Sequence, residues 1–174
     1  MDSHLNDGSE RLIIEPLSPG HAGELFAALD DPRVHRWVDS PAPVSVEALA
    51  ANIGRMQRGP ADAGERWLNW ALRRRDLGSC IGTLQATVEA EGLAWIAYVL
   101  GAASWRQGFA TEAVRWLIDE LRSHHGVTRL RASVDQRNGA SVRVLERTAF
   151  VNLGPRAADL RGEPSIDLHF ERQS

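Results

Sequence analysis

The chain has 174 residues, 43% of them hydrophobic and 25% charged, with a net charge of −3. These proportions suit one soluble globular domain and argue against disorder or a fibre. Twenty basic residues against twenty-three acidic ones leave no basic excess, so neither nucleic acid nor an anionic membrane surface is an expected partner. No apolar run approaches the roughly 18 residues of a membrane span.

Every basic residue is an arginine. That excludes Schiff-base and P-loop lysine chemistry. Cys80 is a lone cysteine, so neither an internal disulfide nor a cysteine metal site is expected. Met1 to Glu10 is polar and mixed in charge, without the basic start and apolar middle of a secretory signal. It reads as a loose tail on a single domain spanning residues 11–174, in a cytoplasmic protein.

In chain order, Arg11 to Leu17 reads as a strand. Ser18 and Pro19 open a helix striped by Ala22, Leu25, Phe26 and Leu29, which Asp30-Asp31-Pro32 stops. Arg33 to Val38 is a short turn or helix. Ser45 caps a second helix carrying Val46, Leu49, Ala50 and Ile53 on one side, and residues 57–66 read as loop. Three strands follow as a meander: Trp67 to Arg75, Ser79 to Val88 and Leu93 to Leu100. After a small-residue loop, a long amphipathic helix starts near Phe109 and closes at His124-His125-Gly126. Val127 to Val134 alternates as a strand. Asn138 to Thr148 is a helix, and Phe150 to Leu153 and Ser165 to Phe170 are closing strands. The order β-α-α-β-β-β-α-β-α-β-β predicts an α/β (α+β) domain with a mixed sheet flanked by helices.

The segment richest in chemistry is Trp105-Arg106-Gln107-Gly108-Phe109-Ala110-Thr111-Glu112-Ala113, between a strand and the long helix. A loop feeding a helix start offers free backbone N–H groups and the positive end of the helix dipole, which suits a phosphate or pyrophosphate. Gly108 lets the backbone approach closely, and Arg106 adds charge. On spacing alone, an ordinary turn fits as well.

This segment resembles the acyl-CoA-binding motif of the GNAT N-acetyltransferase superfamily, Q/R-x-x-G-x-G/A, at Gly108 and Ala110. Trp105 in place of glutamine or arginine is similar to the branch of ribosomal-protein N-terminal acetyltransferases (RimJ/RimL-like). Asn138-Gly139-Ala140-Ser141-Val142-Arg143-Val144-Leu145-Glu146-Arg147-Thr148-Ala149-Phe150 resembles that branch's N-x-x-S-x-x-V-L-E-K-x-G-F stretch. Trp95 to Leu100 resembles the strand before the CoA motif, and Asp31 to Trp37 the D-P-x-V opening. The matches keep their order over about residues 11 to 170.

The resemblance implies a GNAT fold: a mixed, mostly antiparallel sheet of six to seven strands with about four helices. Its two central strands would splay to hold acetyl-CoA. Val99 and Leu100 would pair with the pantetheine arm, and the N–H groups of Gln107, Gly108, Phe109, Ala110 and Thr111 would hold the pyrophosphate. Asn138 would bond the arm and Ser141 would sit near the sulfur. The Leu100 N–H is the implied donor to the oxyanion. Ser141 stands where many relatives place a tyrosine that protonates the thiolate. The carboxylates common in relatives at Trp95 and Leu153 are absent, which leaves no evident general base; water could relay the proton.

For the acceptor, His35, Trp37, Trp70 and Tyr98 are the candidates. A solvated turn histidine is the alternative for His35, and core packing for one of Trp67 and Trp70. Glu112 reads as a structural partner of the helix's first turn or, alternatively, a base. No metal is expected, since His124 and His125 have no third ligand at zinc spacing. The implied activity is acetyl transfer from acetyl-CoA to a primary amine, at a protein N-terminus or on a small molecule, by direct attack in a ternary complex. The alternatives are an acyl-CoA sensor without turnover and a transferase of a larger acyl group. A homodimer is an expected possibility.

Overall fold

The computed structural model describes residues 8–61 and 64–174. Eleven named strands and helices follow the expected order: β1 (Leu12–Pro16), α1 (Ala22–Ala28), α2 (Val46–Arg58), β2 (Arg66–Arg74), β3 (Cys80–Val88), β4 (Leu93–Leu100), α3 (Phe109–His125), β5 (Arg129–Asp135), α4 (Gly139–Arg147), β6 (Val151–Leu160) and β7 (Glu163–Gln173). The strands form one mixed sheet in the order β1-β2-β3-β4-β5-β7-β6, in which only the β4–β5 pair is parallel. The GNAT fold expected from the motifs is the fold observed.

Strand alternation decides what each face meets. Leu72, Leu84, Ile96, Leu130, Ala132 and Phe170 point to one face and pack on Ala113, Val114, Leu117 and Leu121 of α3. Ala71, on the opposite face, joins Leu17, Ala22, Leu25 and Ile53 beneath α1 and α2. Those two helices cover the β2–β3 half only, so the outer face of β5 leaves Ser133 exposed and His169 on β7 half-buried.

Two expectations change. The closing strands are longer than read, because β6 and β7 pair from Val151–Glu171 to Leu160–Glu163 around a turn at Arg161 and Gly162. Of the segment read as a loose tail, residues 1–7 lie outside the described residues. Gly8 bridges Ile13, and the Ser9 hydroxyl donates to Glu112 at 2.6 Å. Among the described residues, no helix is long and apolar enough to cross a membrane.

Candidate active site

β4 and β5 pair through Leu93–Arg129, Ala94–Leu130 and Trp95–Arg131, then part. Ile96 to Leu100 and Ala132 to Asp135 have no pairing across the resulting gap. The other edge of β4 fixes which groups face it. Glu89 N–H donates to Leu93 C=O, and Gly101 N–H to Ile81 C=O, each at 2.8 Å. Bonded positions in an antiparallel ladder recur at every second residue. Trp95, Ala97 and Val99 therefore turn their backbone groups to β3, while Ile96, Tyr98 and Leu100 turn theirs into the gap. The expected use of Val99 is corrected by this alternation: its N–H and C=O belong to β3. The Leu100 N–H does face the gap, and its C=O accepts from the Trp105 indole at 2.8 Å.

The start of α4 lies along one side of the gap. Asn138 caps it, its Oδ1 accepting the Ser141 N–H at 3.2 Å. The Ser141 hydroxyl donates to the Tyr98 oxygen at 2.8 Å, and the Tyr98 hydroxyl donates to the Ser141 carbonyl at 3.1 Å. Burial pushes the Tyr98 phenol up to about 12, against the opposing effect of the Ser141 bond, so it stays protonated. The sequence reading grouped Tyr98 with the acceptor residues. It shares strand parity with Ile96 and Leu100, and therefore sits beside Ser141 on the helical side of the sheet.

The loop before α3 bends through two left-handed residues, Arg106 at φ 61° and Gly108 at φ 82°. Gly108 is the N-cap residue and no side chain caps the helix. The first-turn N–H groups of Phe109, Ala110 and Thr111 accordingly lack intrahelical partners. A Cβ at Gly108 would meet only Arg11 Nη2, at 3.3 Å, so glycine is required here for its backbone angle.

Arginines surround this loop. Arg11 donates through Nη1 to the Gln107 carbonyl at 2.9 Å and through Nε to Glu112 at 2.7 Å. The guanidinium groups of Arg11 and Arg74 lie 4.4 and 4.8 Å from the centre of the buried Phe109 ring. Arg106 forms no ion pair among the described residues. Glu112 accepts from the Ser9 hydroxyl, from Arg11 N–H and from Arg11 Nε. Burial would raise its pKa, but the bonds from Ser9 and Arg11 hold the carboxyl below its ordinary value. The structural reading of Glu112 therefore fits, because its oxygens hold the chain's N-terminal side against the loop.

The gap opens into a cleft of about 220 Å³, lined by Tyr98, Asn138 and Ser141 and also by Trp37, Asp39, Asp159, Ser165 and Asp167. Arg36 and Arg137 lie 4.7 and 4.4 Å from the Trp37 ring centre. Arg137 also grips Asp135 through two side-chain bonds, of 2.9 and 2.6 Å, which hold that carboxyl below its ordinary value. Asp39 accepts the Arg161 N–H at 3.1 Å, tying the Trp37 loop to the tip of the β6–β7 hairpin.

Two acceptor candidates fall outside the cleft. Trp70 is 8% exposed and packs edge-on against Trp116 at 5.6 Å, because even positions of β2 face α3. His35 bonds the Leu29 carbonyl at 2.9 Å and lines a separate hollow with Phe26 and Pro43. Sequence reading missed the Arg11–Glu112 anchor and the aspartates of the cleft; no local motif marks either. Elsewhere, Glu15, His21 and Cys80 cluster, and Glu15 is ion-paired to Arg73 at 3.0 Å, which also pairs with Glu24 at 2.8 Å.

Residues 11–151 match the family model of the acetyltransferase (GNAT) domain. Among curated proteins, the uncharacterized N-acetyltransferase YoaA of Bacillus subtilis (strain 168) is 29% identical over 149 residues, covering 84% of this chain and 82% of the relative. Among solved structures, the fold resembles RimL, a ribosomal L7/L12 alpha-N-protein acetyltransferase in complex with coenzyme A, with a TM-score of 0.82, 19% identity and 95% of each chain covered. It also resembles the microcin C7 self-immunity acetyltransferase MccE in complex with acetyl-CoA and AMP, with a TM-score of 0.83, 18% identity and 97% of each chain covered. At these identities the two solved structures speak to the fold.

Proposed function

This chain belongs to the acetyltransferase (GNAT) family and is an acetyl-CoA-dependent N-acetyltransferase; we propose that it acetylates a primary amine, on a protein N-terminus or a small molecule, by direct attack in a ternary complex. The observation that carries this reading is the parting of β4 and β5 after three residue pairs, beside a helix start with no side-chain cap.

Acetyl-CoA supplies an activated acetyl thioester. The first-turn N–H groups of α3, with Gln107, Gly108 and the Arg106 guanidinium, suit its pyrophosphate. The gap-facing groups of Tyr98 and Leu100, with the Asn138 carboxamide, suit the pantetheine arm. In this reading the gap-facing Leu100 N–H would donate to the carbonyl oxygen as it gains charge. Ser141 would turn its hydroxyl hydrogen from the Tyr98 oxygen, which holds it at 2.8 Å, to the departing sulfur. Burial keeps the Tyr98 phenol protonated, and its hydroxyl donates to the Ser141 carbonyl at 3.1 Å. Its part in this reading is to hold Ser141.

The amine must attack in its neutral form. A free α-amine, with a pKa of about 8, meets that requirement near neutral pH far more readily than a lysine amine at about 10.4. The test is thiol release from acetyl-CoA with peptide α-amines, small primary amines and peptides whose only amine is a lysine side chain. Turnover with at least one of the first two classes is expected. Tight coenzyme A binding with no turnover on any amine would replace this reading with an acyl-CoA sensor.

A further inference from the structure

Acetyl transfer to an amine that binds as ammonium needs a destination for its proton. Trp95 and Leu153 offer none. Four carboxylates line the cleft instead: Asp39, Asp135, Asp159 and Asp167. Their partners tell them apart. Asp135 is buried and both its oxygens are held by Arg137, which stabilises the charged form and makes it a poor proton acceptor. Asp39 and Asp159 accept backbone N–H groups at the hairpin tip, from Arg161 at 3.1 Å and Gly162 at 2.6 Å, so they brace the rim.

Asp167 differs from these three. It sits in mid-strand on β7, paired on both sides, with Asp135 of β5 and Arg156 of β6. A rigid strand holds a side chain more closely than a hairpin tip does. Its Oδ2 accepts the Ser133 hydroxyl at 2.6 Å, and among the described residues Oδ1 has no hydrogen-bond partner. Ser133 and Asp167 both belong to the cleft that contains Tyr98 and Ser141.

We infer that Asp167 is the general base for the acceptor amine, fixed by the Ser133 hydroxyl. This inference rests on the acetyl-transfer reading. The amine gives one proton to Asp167 Oδ1, and its freed lone pair forms the N–C bond to the thioester carbonyl. The C–S bond breaks with its electron pair on sulfur. The tetrahedral nitrogen gives its second proton to solvent, the departing thiolate takes a proton from solvent, and Asp167 releases its own through the open cleft, so that ammonium and thioester become amide, thiol and one free proton. The groups facing Asp167 are Ser133 and the Asp135–Arg137 pair from β5, Arg156 from β6 and His169 two residues along β7. The His169 Nε2 is 3.5 Å from the Ser133 oxygen, too long for a firm hydrogen bond. Asp167 is therefore the group that Ser133 orients.

The experiment measures acetyl transfer to the best amine of the panel as a function of pH, with coenzyme A affinity by calorimetry as the readout of an intact fold. Asp167→Asn should lower kcat/KM by about 10²- to 10⁴-fold near neutral pH, with coenzyme A affinity unchanged. Its deficit should narrow as pH rises and the amine arrives neutral. Added formate should return part of the activity of Asp167→Ala. An Asp167→Asn protein with wild-type turnover and pH profile overturns the assignment. So does a deficit that is equal at every pH and unresponsive to formate, because that marks a structural role. A wild-type protein that binds coenzyme A yet acetylates no amine overturns the acetyl-transfer reading itself. An active wild type with an indifferent Asp167→Asn overturns the base alone.

Discussion

Replacing Glu112 with glutamine tests whether the start of the described chain is latched to the loop before α3. The carboxylate accepts three hydrogen bonds, from Ser9 Oγ, Arg11 N and Arg11 Nε, at 2.6, 2.8 and 2.7 Å. Glu112→Gln keeps an acceptor oxygen for one or two of them but removes the charge. Hydrogen bonds to charged groups contribute about 1.5–3 kcal/mol and neutral ones about 1. The Arg11 side chain is 46% exposed, so its ion-pair share is held to about 1 kcal/mol or less. Together these give a loss of about 1.5–2 kcal/mol. At about 2–4 °C per kcal/mol for a chain of this size, Tm should fall by about 3–8 °C at neutral pH.

The sign of the pH dependence follows from the same contacts. Ser9 and Arg11 outweigh burial and lower the folded pKa of Glu112 below its ordinary 4.5. Its contribution is therefore complete above the unfolded value and lost as pH falls through the folded one. The assay is thermal unfolding of both proteins from neutral to acidic pH. The difference in Tm should be widest at neutral pH and close as pH drops below the ordinary 4.5 and through the lower folded value. A difference that stays constant across that window would refute the latch as an electrostatic one.

Three other outcomes are expected. Gly108→Ala, at φ 82°, should cost about 1–2 kcal/mol in chemical denaturation for the left-handed backbone; Gly108→Asp should in addition weaken coenzyme A binding in calorimetry, and unchanged affinity would detach the loop from the phosphates. Tyr98 is the chain's one tyrosine, so absorbance titration reads it alone: it should ionise near 12 while the protein stays folded. Its contribution to stability should then be lost between its ordinary value of about 10 and that folded value, and a midpoint near 10 in the folded protein would contradict its burial. Cys80 is 4% exposed, and burial pushes its thiol up to about 11. It should resist alkylation at mildly alkaline pH until the protein unfolds, and rapid labelling of the folded protein would be inconsistent with this packing.

The element order was legible because the apolar stripe of α3 and the alternation of β5 are strong local signals. The closing hairpin is longer than its sequence pattern predicts, for a physical reason. Arg156, Ala157, Ala158 and Asp159 have little strand preference, and β7 beside them supplies the order. Cofactor-loop geometry was legible from Gly108 and the helix that follows. The acceptor side was much less so. Residue type alone points to Trp70 and His35, while strand parity sends the first into the core and a carbonyl at the end of α1 claims the second. Tyr98 and Trp37 do line the cleft, and the bond that ties Tyr98 to Ser141 has no local signature. Ser133 and Asp167 stand 34 residues apart and belong to no motif. The Arg11–Glu112 pair spans 101 residues. Such pairs emerge only when the sheet assembles.

The three-pair ladder between β4 and β5 also has a mechanical consequence. With the Thr128 N–H to Gly92 C=O bond beside it, it is the backbone seam between a plate formed by β1 to β4 and a second formed by β5, β7 and β6. The apolar side of α3 is the rivet across that seam. Partial opening should start there, and the Gly126 turn is the natural place to divide the polypeptide into two fragments that reassemble by burying Leu117 and Leu121 between them.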